Sequence, residues 1–217
     1  MTTNEVDIYD GRFIHPFTCV VAGQSGAGKS TFIQNLIYNS DVLISSRFDY
    51  IIIFQGVEDP SFQNIVHPNI EFHIGLPIDF SSFIKPDKAG LFVIDDLQSE
   101  ITKNQDAAGL FQKYSAHNNL SIILTLQNLY CAGKERVNII RNSNYIIIFN
   151  SPLDLTPICL LSRRIAPHDS KALQRLMFSI LKTHRYIILD GKQSTPIQLR
   201  FRTDIFNGFQ RVFYPYI

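Results

Sequence analysis

Residues Phe17-Thr-Cys-Val-Val-Ala22 run directly into Gly23-Gln-Ser-Gly-Ala-Gly28-Lys29-Ser30. The first stretch is almost continuously apolar, which favours a strand buried on both faces. The second fits the pattern G-x-x-x-x-G-K-[S/T], whose glycines let the backbone turn tightly and point N–H groups at an anion. In this pattern Lys29 adds a positive charge for the β- and γ-phosphates, and the Ser30 hydroxyl can ligate Mg²⁺. A strand, this loop and a following helix together predict a P-loop for ATP and Mg²⁺.

The helix that follows the loop points its N-terminal dipole toward the same phosphates. The predicted ATP-binding residues are Gly23, Gln24, Ser25, Gly26, Ala27, Gly28, Lys29, Ser30 and Thr31.

Two further strand ends carry polar side chains that suit hydrolysis. Gly90-Leu-Phe-Val-Ile-Asp95-Asp96 is an apolar strand that ends in two carboxylates. Asp95 is predicted to hold the Mg²⁺ shell, and Asp96 to act as the base that polarises the attacking water. Ser121-Ile-Ile-Leu-Thr-Leu-Gln127 is a third buried strand with a polar end. It resembles the strand that in RecA-like NTPases lies between the P-loop strand and the acidic strand, and this resemblance implies that Gln127 senses the γ-phosphate.

Alternation of short apolar runs with longer segments predicts an α/β fold with three layers and a mainly parallel central sheet. The predicted strands are Phe17–Ala22, Tyr50–Phe54, Leu91–Ile94, Ser121–Leu126, Tyr145–Phe149 and Tyr186–Leu189, with a further one at a sheet edge over Pro196–Arg202. The predicted helices are Ser30–Tyr38, Gln98–His117, and Leu153–Leu181 as two pieces broken near Pro167.

The length of 217 residues predicts one domain. In this division residues 1–15 are an N-terminal extension, residues 16–150 the nucleotide-binding core, and residues 151–217 C-terminal helices and edge strands.

Composition excludes several classes of protein. The three cysteines are widely spaced with no CxxC, which argues against a structural zinc site or disulfide framework and favours a reducing, intracellular setting. The polar, acidic N-terminus does not resemble a signal peptide, and no apolar run predicts a membrane span. Residues 1–108 contain 6 Lys and Arg against 14 Asp and Glu, whereas residues 109–217 contain 14 against 5. The basic half is consistent with a surface for a polyanion, although one fold could also mix the two halves.

The chain resembles the packaging ATPases of the FtsK–HerA superfamily, and among them most resembles those of Polinton/Maverick elements, virophages and large, poxvirus-like DNA viruses. The absence of an N-K-x-D motif and of an ABC signature removes two other P-loop classes. The matching stretches are His15–Ser30, Leu91–Leu97, His117–Tyr130, Asn142–Pro152, Tyr186–Asp190 and Leu199–Thr203. One departure is Leu153, because this family often carries an arginine after the proline.

The resemblance implies a RecA-like P-loop NTPase of the additional-strand class, whose subunits form a homo-oligomeric ring of five or six. Such a ring threads double-stranded viral DNA into a capsid, with capsid or portal-like vertex proteins as partners. It would act at the viral assembly site in the cytoplasm or nucleus, or in transient association with the virion.

A small RecA-like domain usually needs a further arginine, which can come from a neighbour, to neutralise charge on the γ-phosphate. The candidates are Arg136, Arg141, Arg163 and Arg164. We favour Arg141 and then Arg136, because both precede the strand Tyr145–Phe149. For DNA phosphates, the expected pore positions are Lys103, Lys113 and Lys134.

Two alternatives remain open from the residues. A nucleoside or nucleotide kinase shares the P-loop and the size, but no Arg-rich lid lies between the P-loop and Asp95. A nucleotide-dependent assembly switch would not need Asp95, Asp96 and Gln127 together.

Overall fold

A computed structural model describes residues 11–104, 106, 109–130, 132–206, 208 and 210–213. One mixed sheet contains nine strands among these residues. They are β1 (Thr18–Ala22), β2 (Tyr50–Gln55), β3 (Ile70–Ile74), β4 (Gly90–Asp95), β5 (Leu120–Leu126), β6 (Tyr145–Phe149), β7 (Tyr186–Asp190), β8 (Phe201–Thr203) and β9 (Arg211–Phe213).

The strand order is β3-β2-β4-β5-β1-β6-β7-β8-β9. Neighbours from β3 through β6 pair in parallel, and the pairs from β6 to β9 are antiparallel. β5 therefore lies between β1, which leads into the P-loop, and the acidic strand β4, as the resemblance to RecA-like NTPases implies. The parallel strands all end at one edge of the sheet, which we call the carboxyl edge, and ligands of open α/β sheets bind at such an edge.

Helices cover both faces of the sheet and make the three layers. On one face lie α1 (Lys29–Tyr38), α2 (Ser40–Leu43) and α3 (Pro60–Gln63). On the other lie α4 (Gln98–Ile101), a π-helical turn (Leu110–Tyr114) continued by α5 (Ser115–His117), α6 (Arg136–Arg141), α7 (Thr156–Ile165) and α8 (Ser170–Thr183). A 3₁₀ turn spans Phe80–Phe83.

The five strands β1, β2, β4, β5 and β6 are buried at every position, because helices remove both of their faces from water. Within β1, Val20 packs with the helices of one layer and Val21 with those of the other. The predicted α/β fold with a mainly parallel sheet is confirmed.

The long predicted helix Gln98–His117 is wrong. α4 ends at Ile101, and the Thr102 hydroxyl donates hydrogen bonds to Gln98 O (2.7 Å) and Ala132 O (3.2 Å), which ties the chain to another loop. Residues 105, 107 and 108 lie outside the described residues. Residues 106 and 109 are already helical, ahead of the π-helical turn, so among the described residues the interruption lies at residues 102–104.

The predicted strand over Pro196–Arg202 is wrong in its first half. It was also expected at the edge of the sheet, and it does not lie there. Residues Ile197–Leu199 form a 3₁₀ turn, because Leu199 N–H bonds back to Pro196 O at 2.9 Å. β8 starts at Phe201 and lies between β7 and β9, so β9 takes the edge. The alternating strand β3 escaped prediction because its side chains are half-exposed rather than continuously buried.

Candidate nucleotide-binding and catalytic site

The P-loop follows β1 directly and wraps the start of α1. Gly26 and Gly28 have φ angles of +75° and +102°, which suit glycine alone without strain. A Cβ on Gly23 would come within 2.7 Å of the Phe149 Cβ, so this glycine is required for close packing against β6. The Lys29 ammonium donates to Gly23 O (2.8 Å) and Gln24 O (3.0 Å) and therefore spans the loop. Burial lowers the pKa of Lys29, and Asp95 and Asp96 oppose that shift.

The loop and two strand ends enclose a cavity of about 410 Å³ at the carboxyl edge. Its lining includes these residues of the predicted ATP site: Ser25, Gly26, Gly28, Lys29, Ser30 and Thr31. Gly23 and Gln24 line an adjoining cavity of about 250 Å³, and Ala27 packs against the core. The size and the polar lining of the larger cavity suit a nucleotide phosphate chain.

Asp95 ends β4 as a buried carboxylate held by two hydroxyl groups. Thr125 donates to its Oδ1 at 2.6 Å, and Ser30 donates to its Oδ2 at 3.4 Å. Burial raises the pKa of Asp95, and the hydrogen bond from Thr125 works in the opposite direction. The carboxylate therefore faces the P-loop serine across the cavity.

Asp96 and Gln127 meet beside Asp95. Asp96 is exposed, has a φ of +54°, and its N–H donates to Thr125 Oγ1 at 3.1 Å. Gln127 Nε2 donates to Asp96 Oδ1 at 3.3 Å. All three side chains line the same cavity as Lys29, so the structure brings the predicted catalytic residues of the P-loop, β4 and β5 together.

Ser30 and Asp95 supply the oxygen ligands that Mg²⁺ prefers. Among the described residues no group of three or more His, Cys, Asp and Glu could hold a metal. A Mg²⁺ ion here would therefore be held by few protein ligands, which is usual for Mg²⁺ that is shared with substrate phosphates. When bound, it would neutralise charge on the β- and γ-phosphates.

Four residues of this site were not predicted from the sequence. Glu58 and Asp59 follow β2 and line the cavity, and the charge of Asp59 contributes to the raised pKa of Asp95. The Gln98 side-chain oxygen accepts hydrogen bonds from Gln127 N (2.7 Å) and Asn128 N (3.3 Å), and Thr125 joins both acids. The two acids after β2 could have been found, because every parallel strand ends at the same edge.

The four candidate arginines lie away from the cavity of their own chain. Arg141 ends α6, next to Asn142, whose carbonyl accepts from the Thr18 hydroxyl at 2.6 Å. Since Thr18 begins β1, Arg141 lies at the edge opposite to the P-loop. Arg136 stacks its guanidinium 5.5 Å from the centre of the Tyr130 ring. Arg163 and Arg164 are exposed in the last turn of α7.

The candidate DNA-contacting lysines divide between two loops that touch. Lys103 and Lys134 are exposed, and their neighbours Thr102 and Glu135 are joined by a hydrogen bond from Glu135 N to Thr102 O at 3.0 Å. The side chain of Lys113 lies outside the described residues.

Comparison with solved structures places this architecture among known folds. The genome-packaging NTPase B204 of Sulfolobus turreted icosahedral virus 2, in complex with ATP-γS, aligns with 93% of this chain and 99% of its own, at 15% identity and a TM-score of 0.56. The complex of the same protein with AMP aligns with 83% of this chain and 96% of its own, at 18% identity and a TM-score of 0.55. B204 of Sulfolobus turreted icosahedral virus, a DNA-packaging ATPase, covers 94% and 99% at 15% identity and a TM-score of 0.57.

The chain shares the fold of B204. By sequence it matches no family model and no curated protein. None of the helices in the described part of the chain combines the length and apolar character that crossing a membrane requires.

Proposed function

We propose that this protein is an ATPase that drives double-stranded viral DNA into a capsid. The observation that carries the proposal is the convergence of Lys29, Ser30, Asp95, Asp96 and Gln127 on one cavity, in a fold shared with B204 over nearly its whole length. Lys29 and Ser30 bind the phosphates and Mg²⁺, Asp96 takes the proton of the attacking water, and Gln127 orients that water.

Movement of DNA requires that hydrolysis change a surface outside the cavity, and α4 provides the connection. Gln98 begins α4 and holds the backbone of Gln127 and Asn128 by hydrogen bonds. The same helix ends at Ile101, two residues before Lys103. A change at Gln127 on hydrolysis therefore acts on a helix of four residues that ends beside a loop bearing an exposed lysine.

The contact with DNA is electrostatic in this proposal. Lys103 and Lys134 lie on adjoining loops, and lysines of this kind grip phosphates without reading bases. A motor that translocates any sequence needs contacts of that type. The subunits act as a homo-oligomeric ring of five or six, docked on capsid or portal-like vertex proteins at the viral assembly site.

The first experiment measures ATP hydrolysis by the purified chain with and without double-stranded DNA. We expect DNA to stimulate turnover, and Lys29→Ala and Asp96→Asn to reduce kcat by about 100-fold or more, because each removes a group that acts in the transition state. Arg175→Ala, an exposed position on α8, serves as the matched control and should retain normal turnover.

Hydrolysis that is indifferent to DNA would contradict the motor. Transfer of the phosphate to a nucleoside would then favour a kinase, and ATP binding without turnover would favour an assembly switch.

A further inference from the structure

Opposite charges lie at opposite ends of the sheet. Residues 41–96, which contain β2, β3 and β4, carry three Lys and Arg against nine Asp and Glu, a net of −6. Residues 145–213, which contain β6 to β9, carry ten Lys and Arg against four Asp and Glu, a net of +6. Because β3-β2-β4 form one end of the sheet and β6 to β9 the other, the charge asymmetry of the sequence becomes an asymmetry of the molecule.

The acidic end has exposed apolar side chains beside the cavity. We define the acidic corner as Val57, Glu58, Ile74 and Ile78, whose apolar members are 71%, 62% and 99% exposed. Val57 and Glu58 line the cavity, and Ile74 pairs with Gln55 on the adjacent strand. This corner therefore lies at the carboxyl edge, on the β3 side of the cavity.

The basic end has a comparable corner at the same edge. We define the basic corner as Leu153, Leu155, Lys182 and Arg185, with Leu153 90% and Leu155 46% exposed. Asn150 joins the loop after β6 to the segment that carries Lys182 and Arg185. The Asn150 N–H donates to Arg185 O (2.9 Å), and the Asn150 side chain donates to Leu181 O (3.0 Å). Arg185 precedes Tyr186, which pairs with Phe149 at the end of β6, so Arg185 lies at the carboxyl edge.

The described part of the chain gives the cavity one basic side chain and four acidic ones. Among the described residues that line it, Lys29 is the only basic one, whereas Glu58, Asp59, Asp95 and Asp96 are all acidic. Hydrolysis of a nucleoside triphosphate is accelerated strongly when an arginine neutralises charge on the γ-phosphate. The site is therefore incomplete for that step and acidic enough to attract an arginine from elsewhere.

We propose that copies of this chain associate head to tail, with the basic corner of one copy against the acidic corner of the next, so that Arg185 enters the neighbour's cavity. Opposite charge and exposed apolar side chains on both corners make the surfaces complementary. An interface between two different surfaces repeats around a ring when its rotation closes. This inference rests on the proposed ATPase function and assigns the residue that completes its site.

The four candidate arginines named from the sequence fit this position less well. Arg141 lies at the opposite edge, a strand length of about 16 Å from the P-loop at about 3.3 Å per residue of β1. Arg163 and Arg164 precede the fourteen-residue α8, which returns the chain to the carboxyl edge and spans about 20 Å. Arg136 is engaged with Tyr130.

A mixing experiment tests the transfer of Arg185 between copies. Arg185→Ala should bind a fluorescent ATP analogue normally but have a kcat at least about 100-fold lower than that of the wild type. Arg141→Ala and Arg175→Ala should keep the wild-type kcat. Lys29→Ala supplies an intact Arg185 from a copy with a dead site. An equal mixture of Arg185→Ala and Lys29→Ala should regain about one quarter of the wild-type rate, since a quarter of random interfaces pair an intact site with an intact arginine. A mixture without recovery, or full activity of Arg185→Ala alone, would overturn the proposal.

Sedimentation velocity tests the two corners without depending on hydrolysis. Glu58→Arg and Arg185→Glu should each shift the protein to monomer, and their equal mixture should associate, because the reversed charges then face each other. Persistent association of both single variants, or a wild-type monomer at every concentration, would overturn the interface. If the wild type associates as expected and yet hydrolyses no ATP, the proposed function fails while the interface stands.

Discussion

A single hydroxyl group, that of Thr125, positions both acids of the candidate site. It donates to Asp95 Oδ1 at 2.6 Å and accepts from Asp96 N at 3.1 Å. Asp96 has a φ of +54°, which is strained for a residue with a side chain and is kept only when the surroundings hold it. The hydrogen bond to Thr125 is one such constraint, and it keeps the exposed Asp96 carboxylate at the cavity.

Gly56 provides a second constraint on Asp96. A Cβ at Gly56 would lie 2.6 Å from Asp96 O, a backbone atom that cannot rotate away. We expect Gly56→Ala to lower the free energy of unfolding by about 1–3 kcal/mol and to lower kcat, because Asp96 must shift. Gly191→Ala, where the nearest atom would be 3.3 Å away, is the control in urea denaturation and ATPase assays. Equal stability of the two variants would contradict this prediction.

The burial of the His15 ring predicts that the stability of the fold depends on pH. Its ring nitrogens contact Ser121 Oγ (2.7 Å) and Asn119 Oδ1 (2.8 Å), and burial lowers its pKa from the ordinary value of 6.5. The unfolded chain therefore binds more protons between the two pKa values, so the stability that neutral His15 contributes is lost as pH falls below about 6.5. We expect acidification from pH 8 to pH 5.5 to lower the Tm of the wild type more than that of His15→Gln. An equal loss in both proteins would exclude His15 as the cause.

In the proposed mechanism, α4 is the element that matters most, although it has only four residues. Its first residue, Gln98, accepts from two backbone N–H groups after β5, so it fixes the direction in which Gln127 leaves the sheet. The continuous helix expected from the sequence would not bring Lys103 next to the loop that carries Lys134. The break after Ile101 therefore places Lys103 beside the loop that carries Lys134.

Gln98→Ala tests this role. Loss of the shared acceptor should let Gln127 move, which lowers kcat by at least about tenfold while ATP binding remains, since small misplacements of reacting groups have large effects on rate. Ser99→Ala is the matched control, because Ser99 is exposed on the same helix and its hydroxyl donates to the adjacent Glu100 at 2.8 Å. Steady-state kinetics that separate kcat from KM would reveal the difference. A normal kcat for Gln98→Ala would remove α4 from the mechanism.

At the scale of the whole molecule, a buried ion pair joins the antiparallel end of the sheet to the first described residues. Arg202 on β8 is 1% exposed and its Nη2 lies 3.2 Å from Asp190 Oδ2 on β7, a residue with no exposure. Arg202 also donates a hydrogen bond to Gly11 O. The pair therefore holds two strands and the segment before β1 together.

Removal of one partner of this ion pair should lower the free energy of unfolding much more than replacement of both partners by apolar residues. We expect Asp190→Ala to lower the free energy of unfolding by about 3–5 kcal/mol, because it leaves a buried guanidinium without its carboxylate. Asp190→Leu combined with Arg202→Met should recover most of that loss. Asp41→Ala, which breaks the exposed pair with Arg47, should change stability by about 1 kcal/mol or less in the same denaturation assay. A small effect of Asp190→Ala would show that the pair is not structural.

Much of the fold followed from the sequence because its signals are local. Strands buried on both faces, such as Tyr50–Gln55 and Leu120–Leu126, are apolar at nearly every position, and the glycines before Lys29 specify a loop between a strand and a helix. Parallel strands end at one edge, so Asp95, Asp96 and Gln127 were expected to meet, and in the structure they do. Their catalytic roles stay predictions.

The tertiary structure alone decided which residues beyond these motifs share an edge. Arg141 and Arg185 both lie next to a buried strand in the sequence, yet one is at the edge opposite to the cavity and the other at the carboxyl edge, because β7 runs antiparallel to β6. The segregation of charge likewise depends on β2, β3 and β4 lying on one side of β5 and β1, and β6 to β9 on the other. Strand direction and order result from packing between residues far apart in the chain, and no local pattern of residues encodes them.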